Sequence, residues 1–177
     1  MSLMHTLTHY ARARRHPLDR RFWPLAARAV ADDVRVVGES MVEMALSVGT
    51  PCTRVIETDG RTEAAASIRA GEPRRFCAVI VAAVELVVPA ADGVGADIWL
   101  DAELDGCEPV TGSVRLLGRH SSDAPRDFGV RPSPRGGELH AMLPIDIRPG
   151  DLLAFVVERP VALHDIRRRS RHWERLL

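Results

Sequence analysis

The sequence predicts one α+β domain, in which N-terminal helices pack on a curved, mostly antiparallel sheet and a basic helix closes the chain. Three observations predict it. Residues 1–50 carry apolar side chains about every three to four positions, which is typical of amphipathic helices. Residues 51–160 change to strand patterns, and residues 161–177 form an arginine-rich amphipathic segment. No shift in composition divides the 177 residues into two domains.

Three helices are predicted in the first part of the chain. The first precedes Pro17, a residue that ends helices. The second covers residues 19–32. The third covers residues 39–49, with Gly49 as its C-terminal stop.

One predicted strand of the sheet part differs from the others because it is apolar on both faces. Residues 76–88 are almost wholly apolar and rich in Val and Ile, which predicts a strand buried on both faces. Residues 96–105 alternate between apolar and charged, as a half-buried strand does. The other predicted elements are strands at 53–58 and 113–120, a helix at 62–70, a loop at 123–137, a hairpin of 138–147 with 151–159, and a helix at 164–177.

The charged residues narrow the classes of function. The chain has 24 basic and 24 acidic residues, so no net field attracts nucleic acid or anionic lipid, and we expect neither as a partner. All basic residues are arginine, and lysine, asparagine and glutamine do not occur. This choice of amino acids is typical of a GC-rich bacterial genome. It also excludes a Schiff-base lysine and a carboxamide oxyanion hole.

Cysteines and histidines indicate neither disulfides nor a metal. Cys52, Cys77 and Cys107 form no CxxC pair and are odd in number, so reduced thiols in the cytoplasm are expected. No apolar run reaches signal-peptide length or the about 18 residues of a membrane span. His5 and His9 share one side of a helix, but no further ligands follow at zinc-site spacing. The sequence therefore predicts no metal and no cofactor.

Glu85 is the first of three candidate catalytic residues. It lies within the apolar run 79–88, where a carboxylate removed from water would suit acid–base chemistry. The alternative is a solvated position at a frayed or edge part of the strand.

His120 and Asp146 are the other two candidates. His120 is in phase with Val114 and Leu116, so it is expected to face the core or a cavity, or else to meet solvent where its strand ends. Asp146, between two isoleucines, is either a buried acid or part of a wet strand face. Each of the three side chains could carry a proton at the end of a pocket.

Several short segments resemble one family. They are Arg115-Leu-Leu-Gly-Arg-His120, Phe128-Gly-Val-Arg-Pro132, Ile145-Asp-Ile147 and Ala31-Asp-Asp-Val34, the last at the predicted end of the second helix. Together with the element order they resemble the SnoaL-like polyketide cyclases and the wider NTF2-like group. The resemblance covers about a third of the chain and implies a cone-shaped α+β barrel with a pocket and no cofactor.

Two main hypotheses of function remain open at this point. The first is a cofactor-independent cyclase, isomerase or dehydratase that acts on an apolar biosynthetic intermediate through Glu85, His120 and Asp146. The second is a non-catalytic module that binds a ligand or a partner and dimerises through its sheet, so a homodimer is expected. A third option rests on residues 38–45, which resemble the central helix of hot-dog thioester enzymes. Fold alone does not decide between them.

Overall fold

The computed structural model describes residues 17–58, 75–89, 95–134 and 138–167. Within these ranges the chain is mostly strand. No helix in the described ranges is both long and apolar enough to cross a membrane. The elements, in chain order, are β1 (Ala27–Val30), β2 (Asp33–Val36), β3 (Glu39–Ser40), α1 (Met41–Val48), β4 (Cys52–Thr58), β5 (Arg75–Pro89), β6 (Ala96–Leu100), β7 (Arg115–Leu117), β8 (Pro125–Arg131), β9 (Leu139–Pro144), β10 (Leu152–Val157) and α2 (Leu163–Ile166).

Two sheets make up the fold. The larger has seven strands in the order β7-β10-β5-β6-β8-β9, with β4 also paired to β5, and it curls into a nearly closed barrel. Its neighbouring strands are antiparallel except for β6 and β8, which are parallel. The smaller sheet has the order β1-β2-β3 and is antiparallel throughout.

The predicted fold class is therefore wrong, since no layer of N-terminal helices packs on the sheet within the described residues. Residues 19–32, predicted as a helix, contain β1 and the turn that precedes β2. Two features explain the error. Pro24 would cost a helix interior about 3 kcal/mol, and Val34 and Val36 are buried on either side of exposed Arg35, which is a strand period. The first predicted helix and the His5–His9 pair lie outside the described residues.

The prediction of the helix at residues 39–49 is confirmed as α1. The Ser40 hydroxyl accepts a hydrogen bond of 3.0 Å from the amide of Glu43, which caps the first turn. The helix ends at Gly49, whose φ of 83° is a left-handed value that glycine adopts without strain. Met41 and Ala45 are the side chains that it buries.

The prediction of a strand at residues 76–88 that is buried on both faces is confirmed for its first half, whereas Glu85 and Leu86 are exposed. From Cys77 to Ala82 every residue of β5 is buried. The even-numbered side chains belong to the apolar core inside the barrel. The odd-numbered side chains belong to a second core, beneath the smaller sheet and α1. An apolar run with no polar face is required because each face of β5 meets a different core.

The second half of the chain departs from the prediction in its pairing. The strands of the predicted hairpin exist, but β9 pairs with β8 and β10 pairs with β5 and β7. The predicted loop 123–137 contains β8. Its prolines obscured the strand, because Pro125 begins β8 and Pro132 follows its last residue, two positions where no ladder amide is lost. The predicted helix 62–70 and residues 168–177 of the last helix lie outside the described residues, and α2 is a single turn.

The turn between β2 and β3 carries local strain. Val37 has a φ of 53° and Gly38 a φ of 84°, so both central residues of this two-residue hairpin loop are left-handed, as in a type I′ turn. Glycine suits such a position, whereas a β-branched residue is strained there. The Val37 side chain is 59% exposed, so packing offsets little of that strain.

We expect Val37→Asn to raise the free energy of unfolding by about 1 kcal/mol, because asparagine tolerates the left-handed region that valine resists. Urea unfolding at neutral pH measures the change. Val55→Asn is the matched control, since Val55 is also partly exposed but lies within β4, where valine is the better strand former. A loss of stability in both variants would contradict the assignment of strain to the turn.

Candidate functional site

A cleft of about 410 Å³ opens where the barrel fails to close, between β7 and β9. These two strands are the ends of the large sheet, and no described strand pairs with their outer edges. We call this opening the seam cleft. Its apolar lining is contributed mainly by Val114, Leu116, Leu143 and Pro144, and its charged lining by Asp32, Arg115, Arg119, His120 and Asp123.

The turn between β1 and β2 forms one side of the cleft. The carbonyl of Asp32 accepts a hydrogen bond of 2.8 Å from the amide of Gly118, which fastens the smaller sheet to the end of β7. The Asp32 carboxylate lies 3.7 Å from Nδ1 of His120, a distance for an ion pair rather than a hydrogen bond. His120 is 47% exposed, so its ring is open to solvent and to any ligand in the cleft.

Arg119 anchors the end of the cleft with four hydrogen bonds. Nε and Nη2 donate to the two carboxylate oxygens of Asp151, both at 2.7 Å. Nη1 donates to the Asp146 carboxylate at 2.7 Å, and Nη2 also donates to the Asp146 carbonyl at 2.9 Å. Ser121 Oγ donates to the other carboxylate oxygen of Asp146 at 2.7 Å. We call Arg119, Ser121, Asp146 and Asp151 the arginine clasp.

The clasp joins the two sides of the seam. Arg119 and Ser121 follow β7, whereas Asp146 follows β9 and Asp151 precedes β10. Asp151 is only 7% exposed, and it also accepts a hydrogen bond of 2.9 Å from the amide of Arg148. A buried carboxylate held by a bidentate arginine is a rigid support. The clasp therefore fixes the position of His120, which lies between Arg119 and Ser121 in the chain.

Hydrogen bonding favours the ionised forms of Arg119 and Asp146. The hydrogen bonds from Arg119 and Ser121 lower the pKa of Asp146 below its usual value. The hydrogen bonds to Asp151 and Asp146 raise the pKa of Arg119. Next to the clasp, burial lowers the pKa of Arg115, and the charge of Asp32 acts in the opposite direction. Asp146 is thus a poor proton carrier near neutral pH, because its ionised form is the one that the clasp stabilises.

The structure separates the three predicted catalytic residues. His120 lines the seam cleft. Asp146 lies in the turn after β9, where its carboxylate belongs to the clasp. Glu85 lies at a β-bulge between Val84 and Leu86 and is exposed, so of the two environments considered for it the solvated one is found. The described lining of the cleft does not include Glu85. A catalytic role for any of the three stays a prediction.

Sequence reasoning missed the partners of Arg119. The acidic side chains of residues 97–105 do not meet Arg119, because β6 and β7 are not neighbours in the sheet. Asp97 instead lies 3.4 Å from Nε of Arg131 on β8. Asp151 had one weak signal in the sequence, its place directly before the apolar run of β10.

The thiols and the acidic groups supply no further chemistry at this site. Burial is the main cause that raises the pKa of Cys52 to about 11 and that also raises the pKa of Cys107. Both are therefore protonated thiols rather than nucleophiles at neutral pH. Within the described ranges, no three His, Cys, Asp or Glu side chains are grouped so that they could hold a metal ion.

No protein-family model, curated protein or solved structure matches the chain. The resemblance to the SnoaL-like cyclases therefore stays a prediction. Two of its segments lie elsewhere than expected. The segment 31–34 lies in the β1–β2 turn and the start of β2 rather than at a helix end, and 145–147 lies in a turn rather than in a strand.

We expect Arg119→Met to lower the free energy of unfolding by about 3 kcal/mol, because it leaves the buried Asp151 carboxylate without its cation. Arg21→Met is the matched control, since the Arg21–Asp19 ion pair is largely exposed and such pairs contribute little to stability. Urea unfolding compares the two. Equal losses would show that the clasp stabilises no more than a surface ion pair does.

His140 forms a separate charged cluster on the β8–β9 hairpin, outside the cleft lining. Nδ1 lies 3.1 Å from the Asp127 carboxylate and Nε2 lies 3.1 Å from the Glu138 carboxylate. Only the imidazolium can donate from both nitrogens. The hydrogen bond to Glu138 is the largest cause that raises the pKa of His140, while the hydrogen bond from His140 lowers the pKa of Glu138.

We expect this cluster to stabilise the fold at mildly acidic pH. A pKa that is raised in the folded state gives a contribution that is complete below the ordinary imidazole value of about 6.5 and is lost as the pH rises through the folded value. His140→Gln should therefore lower stability at about pH 5.5 and have little effect at about pH 8.5. The difference is expected to be small, because all three side chains are exposed to solvent.

Urea unfolding of both proteins at the two pH values measures this difference. The double variant Asp127→Asn, Glu138→Gln removes both carboxylates and should make the His140→Gln effect independent of pH. A pH-dependent effect that survives in the double variant would assign it to other groups.

Proposed function

We propose that the protein is a binding module that holds a small ligand in the seam cleft. The observation that carries the proposal is the convergence of an apolar wall, the His120 ring and the clasp at the gap between the two end strands of the main path of the sheet. A volume of about 410 Å³ is within the range of about 300–1,000 Å³ that small-molecule sites occupy. The clasp supports the cleft without occupying it, because its charges are already paired.

The placement of the candidate residues favours binding over acid–base catalysis. A cyclase or isomerase of the type first considered needs proton carriers that converge on the substrate. His120 is at the cleft, but Asp146 is held ionised by the clasp and Glu85 lies at the bulge of β5. One exposed imidazole together with an apolar wall suits recognition of a ligand that has an apolar body and a polar group.

The three free cysteines support a reducing compartment for this module, since all three are buried as thiols. The cytoplasmic location, the homodimer and the thioester-enzyme alternative stay predictions.

Native mass spectrometry of the purified protein tests the proposal. We expect a small molecule to be retained, and we expect Leu116→Ala and His120→Ala to reduce the retained fraction because both residues line the cleft. His140→Ala is the control, since it removes the same side chain from a site outside the cleft lining. Retention that falls equally in the His120 and His140 variants, or that no cleft variant changes, would contradict binding in the seam.

A second candidate function is proton transfer by His120. The observation that favours it is the Asp32 carboxylate, which lies 3.7 Å from Nδ1 of the exposed ring and is the acidic group beside the only histidine of the described cleft lining. Conversion of the retained compound by the wild type but not by His120→Gln would establish it, with the SnoaL-like cyclase chemistry as the first reaction class to examine. Retention without conversion would leave the binding module.

A further inference from the structure

The two strands that border the seam, β7 and β9, run in the same direction, and we call them the lips of the seam. β7 and β5 are both antiparallel to β10, so they are parallel to each other. β6 opposes β5, β8 runs parallel to β6, and β9 opposes β8, so β9 also runs with β5. A further strand that entered the seam in the reverse direction would therefore be antiparallel to both lips. Antiparallel pairing is the more stable of the two kinds.

The β7 lip presents a backbone amide and carbonyl to the seam. The amide of Val156 on β10 donates to Ser113 Oγ at 2.8 Å, and the carbonyl of Val156 accepts a hydrogen bond of 2.8 Å from the amide of Val110. Both backbone groups of Val156 therefore point to the β7 side of β10. Hydrogen-bonded pairs alternate along an antiparallel ladder. The β7 residues on either side of Leu116 therefore bond β10, and the amide and carbonyl of Leu116 point into the seam.

The β9 lip also presents a backbone amide and carbonyl to the seam. The amide of Ile145 donates to the carbonyl of Ala124 at 3.2 Å, which extends the β8–β9 ladder by one bonded pair. By the same alternation Leu143 bonds β8, and the amide and carbonyl of Met142 point into the seam. Pro144, two residues further along this edge, has no amide to offer, so Met142 is the donor of this lip closest to the clasp.

The side chains at the lips alternate as those of a strand partner would require. Leu116 packs against the core inside the barrel and Leu143 is buried in it, whereas Met142 is 63% exposed. A strand between the lips would place its inward side chains between the two leucines and its outward side chains beside Met142. Both an apolar and a polar series of side chains are accommodated, as in other cases of strand addition.

We propose that the ligand of the seam cleft is an extended, peptide-like segment that adds as a strand between β7 and β9, antiparallel to both. This inference rests on the proposed function and specifies the chemistry of the ligand. The occupant is a short free segment rather than the edge of a folded domain, since β7 offers three residues and the cleft holds about 410 Å³. In addition, the Asp32 turn is hydrogen-bonded to Gly118 and so lies beside the β7 lip.

Amide chemical shifts test the inference directly. The probe is a pool of capped hexapeptides in which Val or Leu alternates with Thr or Ser, added to ¹⁵N-labelled full-length protein. We expect the largest shift changes at the amides of Leu116 and Met142. The matched probe is the same pool with every backbone amide N-methylated, which retains the side chains but can form a ladder with neither edge, and it should leave these amides unchanged.

A third probe separates the inference from the function on which it rests. Anilinonaphthalene sulfonate has an apolar body and no peptide backbone. Shifts at the cleft with this dye alone, or equal shifts with both peptide pools, would overturn strand addition and leave small-molecule binding in place. No change with any of the three probes would overturn both proposals.

The substitution Met142→Pro tests the inference independently, because it removes the backbone N–H that faces the seam and no N–H that bonds β8. We expect it to weaken binding of the unmodified pool by about three- to tenfold relative to Met142→Ala, which loses the same side chain but retains the amide. The spectrum of each variant establishes that it is folded. Equal binding by two folded variants would overturn the inference. If Met142→Pro does not fold, the N-methylated pool decides.

Discussion

Burial of β5 on both faces is the constraint to which the remaining elements conform. Six successive residues, from Cys77 to Ala82, lie out of water, and the strand is stable only if each face is covered by a separate apolar layer. The barrel interior covers one face. The smaller sheet and α1 cover the other, where Val34, Val36 and Met41 lie in the same core as Cys77 and Val79.

This arrangement determines where the barrel can remain open. β5 and β10 are covered on both sides and lie within the sheet, whereas β7 and β9 are the terminal strands. Free strand edges are liabilities in soluble proteins, and short strands and prolines are the usual protection. β7 has three residues and β9 ends at Pro144. The arginine clasp then holds the two ends together by charge-assisted hydrogen bonds instead of a continuous ladder.

The same geometry explains why the cleft combines apolar and charged groups. The strands at the seam still turn alternate side chains toward the core, which brings Leu116 and Leu143 to the cleft. The chain segments that leave these strands must change direction in solvent, and they carry the polar residues Arg119, His120 and Asp146. The cleft and the clasp are therefore adjacent at the end of the seam, and a change in the clasp is expected to alter the shape of the cleft.

The sequence by itself determined the elements whose signals are local. The apolar run of β5 needs no knowledge of its neighbours, and Ser40 and Gly49 mark the two ends of α1 through their own backbone chemistry. For His120 the strand phase of residues 113–120 left both a cavity and solvent open, and β7 ends at Leu117, before this residue. Only the tertiary structure decided which strands pair, that residues 27–36 form a sheet instead of a helix, and that Arg119 meets Asp146 and Asp151. The physical reason is that these outcomes depend on contacts between residues far apart in the chain, such as the 27 and 32 positions that separate Arg119 from Asp146 and Asp151. They depend also on the free energy of covering β5, which no local pattern contains.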